Sequence, residues 1–538
     1  MSRLDIPPGS SIAYHTGDWR IQRPVYRDKW PPCGQTCPAS EDIQAWLALA
    51  DDGQWEAAWR KLTERNPLPA VMGRVCYHPC ELGCNRKHLD SAVNIHGLER
   101  YLGDMALTRG WAHQPLTEEQ QTQQVAVIGA GPAGLSCAFQ LARRGYPVTI
   151  FDAHPAAGGT LYSGIPDYRL PKDVLKQEVD AILALGIDLQ LGVRIGEQRS
   201  AQSLRDEFDA VFIGTGAQQP RRYTGSDQSS HSVEAGVDFL QRINRHESIE
   251  LPKQVAVIGG GNTAIDVARC ARRLGAEVTV ICPQDPHGTP HHHPGSEMPA
   301  SLGEVIQAEK EGVQIRFHVG VSRLVRSGEH LSGVEIARID KLHNFRGEFD
   351  PLLFEGTEEF VPAGRVIFAI GQQVDWRGLE DLQEDASATV RVGGDAAGKP
   401  RFAPTAVGSG FDAAMAIIGE LSGEVPAHAQ HTKSEVSYKD LNLPYYPPLE
   451  RQEGEVIADR LRGFAEITGG LDQTAAAREA SRCLSCGVCF QCDNCWHFCP
   501  DAAVIKQGAA YQVDYNFCKG CGICVQECPC GHIDMRME

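Results

Sequence analysis

The chain has 538 residues, and 51 Lys and Arg against 69 Asp and Glu leave a formal charge of −18 at pH 7. Hydrophobic residues at 42% suffice for several packed cores, which excludes a disordered or fibrous class. At about 150 residues per domain the length predicts three or four domains, and the acidic balance argues against nucleic acid or anionic lipid as a partner.

No apolar run reaches the roughly 18 residues that a membrane helix needs, so no membrane partner is expected. The start, MSRLDIPPGSS, lacks the apolar stretch of a secretory signal, so the expected location is cytoplasmic. Residues 1–118 are polar and carry tryptophan and cysteine. The segment 41–64 (EDIQAWLALADDGQWEAAWRKLTE) places apolar residues at helical spacing and predicts a small helical domain. Pro24, Pro31, Pro32 and Pro38 make its first part irregular.

From residue 125 the texture changes. VAVIGAGPAGLSCAFQLARRGYPVTIFD reads as strand, glycine turn, helix and strand. It returns as VAVIGGGNTAIDVARCARRLGAEVTVIC from residue 255. In each copy the first glycine (Gly129, Gly259) precedes the end of the second strand (Asp152, Cys282) by 23 residues. AVFIGTGA (210–217) closes the first unit and RVIFAIGQ (365–372) the second. VRVGGDAAGK (390–399) leads to the helical segment FDAAMAIIGEL (411–421). The pattern predicts an α/β protein with one Rossmann-like domain inserted in another. The first nucleotide domain occupies 119–230 and 365–425, and the second occupies 231–364. A linker follows over 426–475 and a compact cysteine-rich end over 476–538.

In the first copy Gly129-x-Gly131-x-x-Gly134, with Pro132 and Ala133 inside the turn, follows a strand and opens a helix. Asp152 ends the next strand. That is the full context of the dinucleotide fingerprint: glycines let the backbone approach a pyrophosphate at a helix N-terminus, and the acid accepts from ribose hydroxyls. The second copy offers Gly259, Gly260, Gly261, Asn262, Thr263 and Ala264, but Cys282 stands where the acid is expected. The loop HGTPHHH (287–293) has no supporting carboxylate or cysteine spacing and reads as solvated.

The 19 cysteines are unevenly placed: five lie from Cys33 to Cys84, eleven from Cys483 to Cys530, and only Cys137, Cys270 and Cys282 between. Cys137 and Cys270 occupy apolar helix positions and read as core. No C-x-x-C lies near either nucleotide unit, which disfavours a dithiol flavoenzyme. The tail reads Cys489-x2-Cys492-x2-Cys495-x3-Cys499-Pro, then Cys518-x2-Cys521-x2-Cys524-x3-Cys528-Pro. That run, twice, is the two-cluster ferredoxin pattern, in which each fourth cysteine ligates the other cluster. Zinc needs four ligands per site and does not explain the doubled run.

The chain resembles the glutamate synthase small-subunit family of FAD- and NAD(P)-dependent iron–sulfur oxidoreductases. The resemblance covers roughly 20–425 and rests on NPLP and GRVCYHPCELGC (66–84), VNIHGLER (93–100), VIGAGPAGL (127–135), GGTLYSGIPDYRLPK (158–172) and GGGNTAIDVAR (259–269). The ferredoxin tail is added, as in the oxidoreductase that accompanies dissimilatory sulfite reductase. The resemblance implies FAD on the first unit and the nicotinamide nucleotide on residues 259–264. Gly159, Val193 and Gly216 join the FAD site, Gly394 and Asp395 match its GGD, and Leu161 and Arg169 lie beside the flavin ring.

The family also holds two clusters in its N-terminal domain, with first ligands in a segment EAxRCLxC. Residues 1–40 lack that segment, and it stands instead at 479–486 as EASRCLSC. Cys483 and Cys486 would then join Cys33 and Cys84 around one cluster, and Cys37, Cys76, Cys80 and Glu99 would hold another. Four 4Fe–4S clusters are implied, with Cys137, Cys270, Cys282 and Cys530 left over. The family's second unit commonly ends its strand in Tyr-Arg-Arg. Here Cys282, Pro283 and Gln284 stand there, which leans towards NADH, unless Arg272, Arg273 or the histidine loop compensates.

The implied activity is hydride exchange between NAD(P)H and flavin N5, followed by single-electron transfer through clusters to or from ferredoxin or a partner redox enzyme. No side chain is named as catalytic acid or base. One alternative is an electron-transfer subunit of a 2-oxoacid oxidoreductase or of a sulfite reductase system. Another is a glutamate synthase small subunit. An oligomer is expected.

Overall fold

The structure is a computed structural model that describes residues 15–223, 232–287, 296–343, 349–384, 387, 389–398, 402–424, 434–455, 457 and 463–538. Most of the histidine loop, residues 288–293, lies outside them; His287 itself donates to the Ala300 carbonyl through Nε2 at 2.7 Å.

Continuous apolar runs make strands buried on both faces, as a parallel sheet requires. Val125–Ile128 is buried at every position. It is the centre of a five-stranded sheet in the order Val390–Val392, Ala210–Ile213, Val125–Ile128, Val148–Asp152, Asp188–Leu191. Every neighbouring pair is parallel. The edge strand at 390 comes from beyond the second unit. The helices Pro132–Ala142 and Ala403–Ser422 pack against each other over this sheet.

The second sheet has the order Gln314–Arg316, Glu277–Ile281, Gln254–Ile258, Arg365–Phe368, Val233–Ala235, again parallel throughout. Arg365–Phe368 is an inner strand here, so the second unit continues past residue 364, where the sequence pattern places its end. An antiparallel sheet, Val319–Ser327, His330–His343, Phe349–Leu353 and Glu359–Pro362, is built on the second unit. The short pair Gln219–Pro220 and Gln372–Gln373 carries the chain between the two units.

The helical domain contains Ile43–Asp51, Trp55–Thr63, Pro69–Val75 and Ile95–Arg109 around buried Trp46, Leu62, Leu98 and Leu102. A Cβ on Gly73 or Gly103 would collide with the backbone of Arg100 or Ala70, so these glycines let two helices cross closely. The helix Gln473–Ala480 completes this core with Ala476 and Ala480. Residues 476–480 therefore belong to the helical domain and not to the cysteine-rich end.

The segment read as a linker is laid along the helical domain. Asn85 Nδ2 donates to Val436 O at 3.0 Å, Arg451 Nη1 to Ala92 O at 2.8 Å, and Arg100 Nη1 to Thr468 O at 2.9 Å. Glu479 and Arg482 are fully buried and paired at 2.5 Å. Glu479 also accepts from the N–H groups of Asn94 and Gln452, and Arg482 donates to Asp90 and Ser91. A buried pair satisfied on every side is costly to break.

The tail contributes a hairpin, Val504–Gln507 with Ala510–Val513, and a last strand Ile533–Met537. That strand pairs antiparallel with Gln22–Tyr26. Residues 22–26 thus belong with the cysteine-rich end, although the sequence places them in the helical domain.

Candidate functional site: a nucleotide cavity beside grouped thiols

A cavity of about 470 Å³ opens at the C-terminal ends of the first sheet's strands. Gly129, Gly131, Pro132, Ala133, Asp152, Gly159, Leu161, Arg169, Val193, Gly216, Gly394 and Asp395 all line it, as do Asn262 and Thr263 of the second unit. Gly134 lies beneath the turn, where a Cβ would strike the Gly129 carbonyl. Gly129 has φ +104°, and a Cβ there would lie 2.5 Å from Gly214 O. Gly131 is open, its nearest neighbour being Gly159 Cα at 3.9 Å. Pro132 starts the helix whose N-terminus faces the cavity.

Asp152 is fixed at both oxygens. Oδ2 accepts from Ala130 N–H and Oδ1 from His154 N–H, each at 2.7 Å. Ser409 Oγ accepts from Gly394 N–H at 2.9 Å and holds the GGD turn. An open glycine cradle, a helix N-terminus and a fixed acid fit a dinucleotide.

Arg169 reaches the cavity wall with its guanidinium already committed. Nη1 donates to both oxygens of Asp266 at 3.0 and 2.9 Å, Nη2 to the Tyr77 hydroxyl at 3.1 Å, and Nε lies 3.1 Å from Glu304. It ties the first unit to the second. Tyr77, Asp266 and Ser409 brace the site as well, although no spacing rule in the sequence singles them out. Tyr77 and Asp266 stand inside quoted family motifs, which was the available signal.

Gly259 of the second unit repeats the turn of Gly129, with φ +139° and its Cα against the Ala369 carbonyl. Gly261 is open, whereas Gly260 is hemmed by Gln284 and Cys282. Ala264 is buried in the second core, and Asn262 Oδ1 accepts from Ser301 N–H at 2.9 Å. Burial pushes the Cys282 thiol up to about 12. Arg272 donates to Glu311 O and Ala276 O, and Arg273 to Glu311 and Gly463 O. Both guanidiniums are therefore committed away from the turn.

Tyr77 and Val75, which flank Cys76, line the same cavity. All nineteen cysteines are free of disulfides. Their thiols fall into groups through the electrostatic effect each has on its neighbours. Burial raises Cys33 well above its usual value, and Cys84, Cys483 and Cys486 add to the rise. Burial and then Glu99 raise Cys76; burial and then Cys37 and Cys76 raise Cys80. In the tail, burial followed by Cys492, Cys528 and Cys489 raises Cys495 to about 11. Burial followed by Cys518, Cys499 and Cys521 raises Cys524 to about 12. Cys528 thus sits with the first run and Cys499 with the second.

Backbone N–H groups aim at these sulfurs: His78 at Cys76 (3.2 Å), Ser485 at Cys483 (3.5 Å) and Ala503 at Cys499 (3.3 Å). Glu99 is buried beside the Cys76 group and accepts from Asn66 Nδ2 at 2.6 Å. Grouped soft thiols with amide donors fit iron–sulfur clusters.

His78, Glu81 and His96 also lie together nearby. Their rings stack at 3.8 Å and 14°, which cannot aim both lone pairs at one ion, and Arg451 already pairs Glu81 at 2.8 Å. This group carries no metal argument.

Residues 123–410 match the pyridine nucleotide-disulphide oxidoreductase family, and the chain belongs to that family. Residues 25–111 match domain II of dihydropyrimidine dehydrogenase, a 4Fe–4S cluster domain. The chain is 37% identical over 507 residues to the NADP(+)-dependent formate dehydrogenase subunit beta of Moorella thermoacetica, covering 85% of this chain and 70% of the relative. It is 33% identical to the NADPH-Fe(3+) oxidoreductase subunit beta of Geobacter sulfurreducens, over 88% of this chain and 78% of the relative. It is 33% identical to the glutamate synthase [NADPH] small chain of Escherichia coli K12, over 67% of this chain and 78% of the relative. The chain is an FAD-dependent NAD(P)H oxidoreductase with iron–sulfur domains, whose role is electron transfer. Its nucleotide units hold no redox dithiol: the cysteines within 123–410 are Cys137, Cys270 and Cys282, all buried. Among the described residues no helix is long and apolar enough to cross a membrane.

Proposed function

We propose that this chain holds four 4Fe–4S clusters, one built from both ends of the sequence, and passes electrons between NAD(P)H and a partner redox enzyme. FAD, when bound, exchanges hydride with the nicotinamide and single electrons with the clusters. The chain's residues bind and align. Gly129–Gly134 and Asp152 seat one nucleotide, Gly259–Ala264 the other, and Arg169 with Asp266 fixes the units against each other. Cys37, Cys76, Cys80 and Glu99 form the set next to the cavity. Cys33, Cys84, Cys483 and Cys486 form the next, followed by Cys489, Cys492, Cys495 and Cys528, and then Cys499, Cys518, Cys521 and Cys524.

The observation that carries this reading is the packing of Cys483 and Cys486 against Cys33 and Cys84, some 400 residues away in sequence. Iron analysis tests it. About sixteen iron atoms per chain are expected, and about twelve in Cys486→Ser. Twelve in the unaltered chain, or no loss in the variant, would sink the shared cluster.

The coenzyme is read as NADH, because Cys282, Pro283 and Gln284 offer no guanidinium to a 2′-phosphate. The relatives named above carry NADP or NADPH in their names, so both coenzymes belong in the assay. The partner is read as a separate redox enzyme in an oligomeric assembly, since two of these relatives are named as beta subunits. Formate dehydrogenase, 2-oxoacid oxidoreductase, sulfite reductase and glutamate synthase are separated by co-purification from the native source.

A further inference from the structure

Cys530 is the tail thiol that belongs to no set of four. It is buried, two residues after Cys528, and its Sγ lies 3.8 Å from Cys528 Sγ. Cys489, Cys492 and Cys495 all bear the influence of Cys528, and the doubled x2-x2-x3 spacing of the two runs assigns Cys528 to them as fourth partner. The Cys530 carbonyl accepts from Gly487 N–H at 2.6 Å. Gly487 follows Cys486 directly, and Cys486 belongs to the N-terminal set. Gly487 has φ +78°, and a Cβ there would lie 2.6 Å from Val436 and 2.8 Å from Lys29, so glycine suits this turn. Tyr446 closes the junction. Its hydroxyl donates to Leu484 O at 2.8 Å, and its ring stands among Cys530, Cys486, Cys483 and Cys528. Two sets of donors from opposite ends of the chain thus meet at one extra thiol.

A cysteine that ligates iron is a thiolate and can only accept. Cys530, outside both tail sets, keeps its hydrogen and is the donor of this contact. Hydrogen bonds to cluster sulfurs are a main lever on cluster potential, and they raise it by stabilising the more negative, reduced state. We infer that Cys530 donates an S–H···S hydrogen bond to Cys528 and thereby raises the potential of the tail cluster that faces the N-terminal set. This rests on the reading that the tail runs hold two clusters, which the unaltered chain tests separately.

The experiment uses the full chain, unaltered and as Cys530→Ala and Cys530→Ser, purified without oxygen. Iron content and an EPR-monitored redox titration are the readouts. With about sixteen iron atoms retained, one tail signal in Cys530→Ala is expected to move to more negative potential while the others stay. Cys530→Ser, whose O–H still donates, is expected to recover most of that shift. Full iron with no signal displaced overturns the inference, and so does an equal displacement in both variants, which marks a packing effect. Loss of about four iron atoms in Cys530→Ala overturns it too, because Cys530 would then be a ligand. Absence of tail iron from the unaltered chain would instead bring down the ferredoxin reading, and the inference with it.

Discussion

Asp152 ends its strand with each carboxylate oxygen receiving one backbone N–H, from Ala130 and His154. Each oxygen keeps a second lone pair for a ribose hydroxyl, so one side chain fixes the turn and offers the nucleotide contact. Asp152→Ala would strand the buried Ala130 N–H, at a cost of about 1–3 kcal/mol, and remove the acceptor as well. FAD affinity is expected to fall at least about tenfold, read as flavin released on ultrafiltration. Retention of flavin at the unaltered level would count against the assignment. The acid's position is legible in the sequence from its spacing to Gly129. Its hold on Ala130 is not, because it depends on where the strand ends relative to the turn. At the other nucleotide turn, Gln284 lies against Gly260, where an arginine could reach an incoming phosphate. Gln284→Arg is expected to move the NADPH-to-NADH ratio of kcat/KM about tenfold towards NADPH, the worth of one charge-assisted contact. An unmoved ratio would place the 2′-phosphate elsewhere.

The helix Gln473–Ala480 and the strand Gln22–Tyr26 each lie far in sequence from their structural partners. The helix buries Ala476 and Ala480 in the N-terminal helical core and places Cys483 beside Cys33 and Cys84. The EASRCLSC pattern makes that return legible, since four cysteines otherwise have no common partner. The strand is not legible. QRPVY is short and contains Pro24, and nothing local says that its partner begins at residue 533. Arg365–Phe368 closes the second unit, as its motif indicates, and only the boundary at 364 moves, because the motif says which sheet the strand joins but not where the chain crosses back to the first unit. These placements correct the point at which the chain divides. A chain ending after residue 487 keeps the helix, the Glu479–Arg482 pair, Cys483 and Cys486. It is expected to hold FAD and about eight iron atoms. One ending after residue 470 also loses Glu479, the acceptor of the buried Asn94 N–H. A buried donor left unpaired in this way costs about 1–3 kcal/mol. That chain is expected to hold about four iron atoms and to melt at lower temperature. Equal iron in the two chains would contradict the placement of the helix.

On the proposed ligand sets, the donor groups follow one another in single file. Val75 and Tyr77 put the Cys76 set against the cavity wall, and Cys80 of that set bears the influence of Cys33 in the next. Cys486, Gly487 and Cys530 join the Cys33 set to Cys528. Tyr26, from the N-terminal strand, stands against Cys489, Cys495 and Cys524, where the two tail sets face each other. Cys521, in the last set, is exposed. On that reading the tail is the exit towards a protein acceptor, while a small two-electron dye meets the flavin at the cavity. Removing the last set should therefore separate the two activities. Cys521→Ala is expected to hold about four fewer iron atoms. Its ratio of ferredoxin reduction to dye reduction, with NADH or NADPH as donor, is expected to fall at least tenfold, about 1.4 kcal/mol in the relative barrier. If the ratio stays constant while the iron is lost, electrons leave from an earlier set. Cys492, also exposed and one set closer to the cavity, then marks the exit.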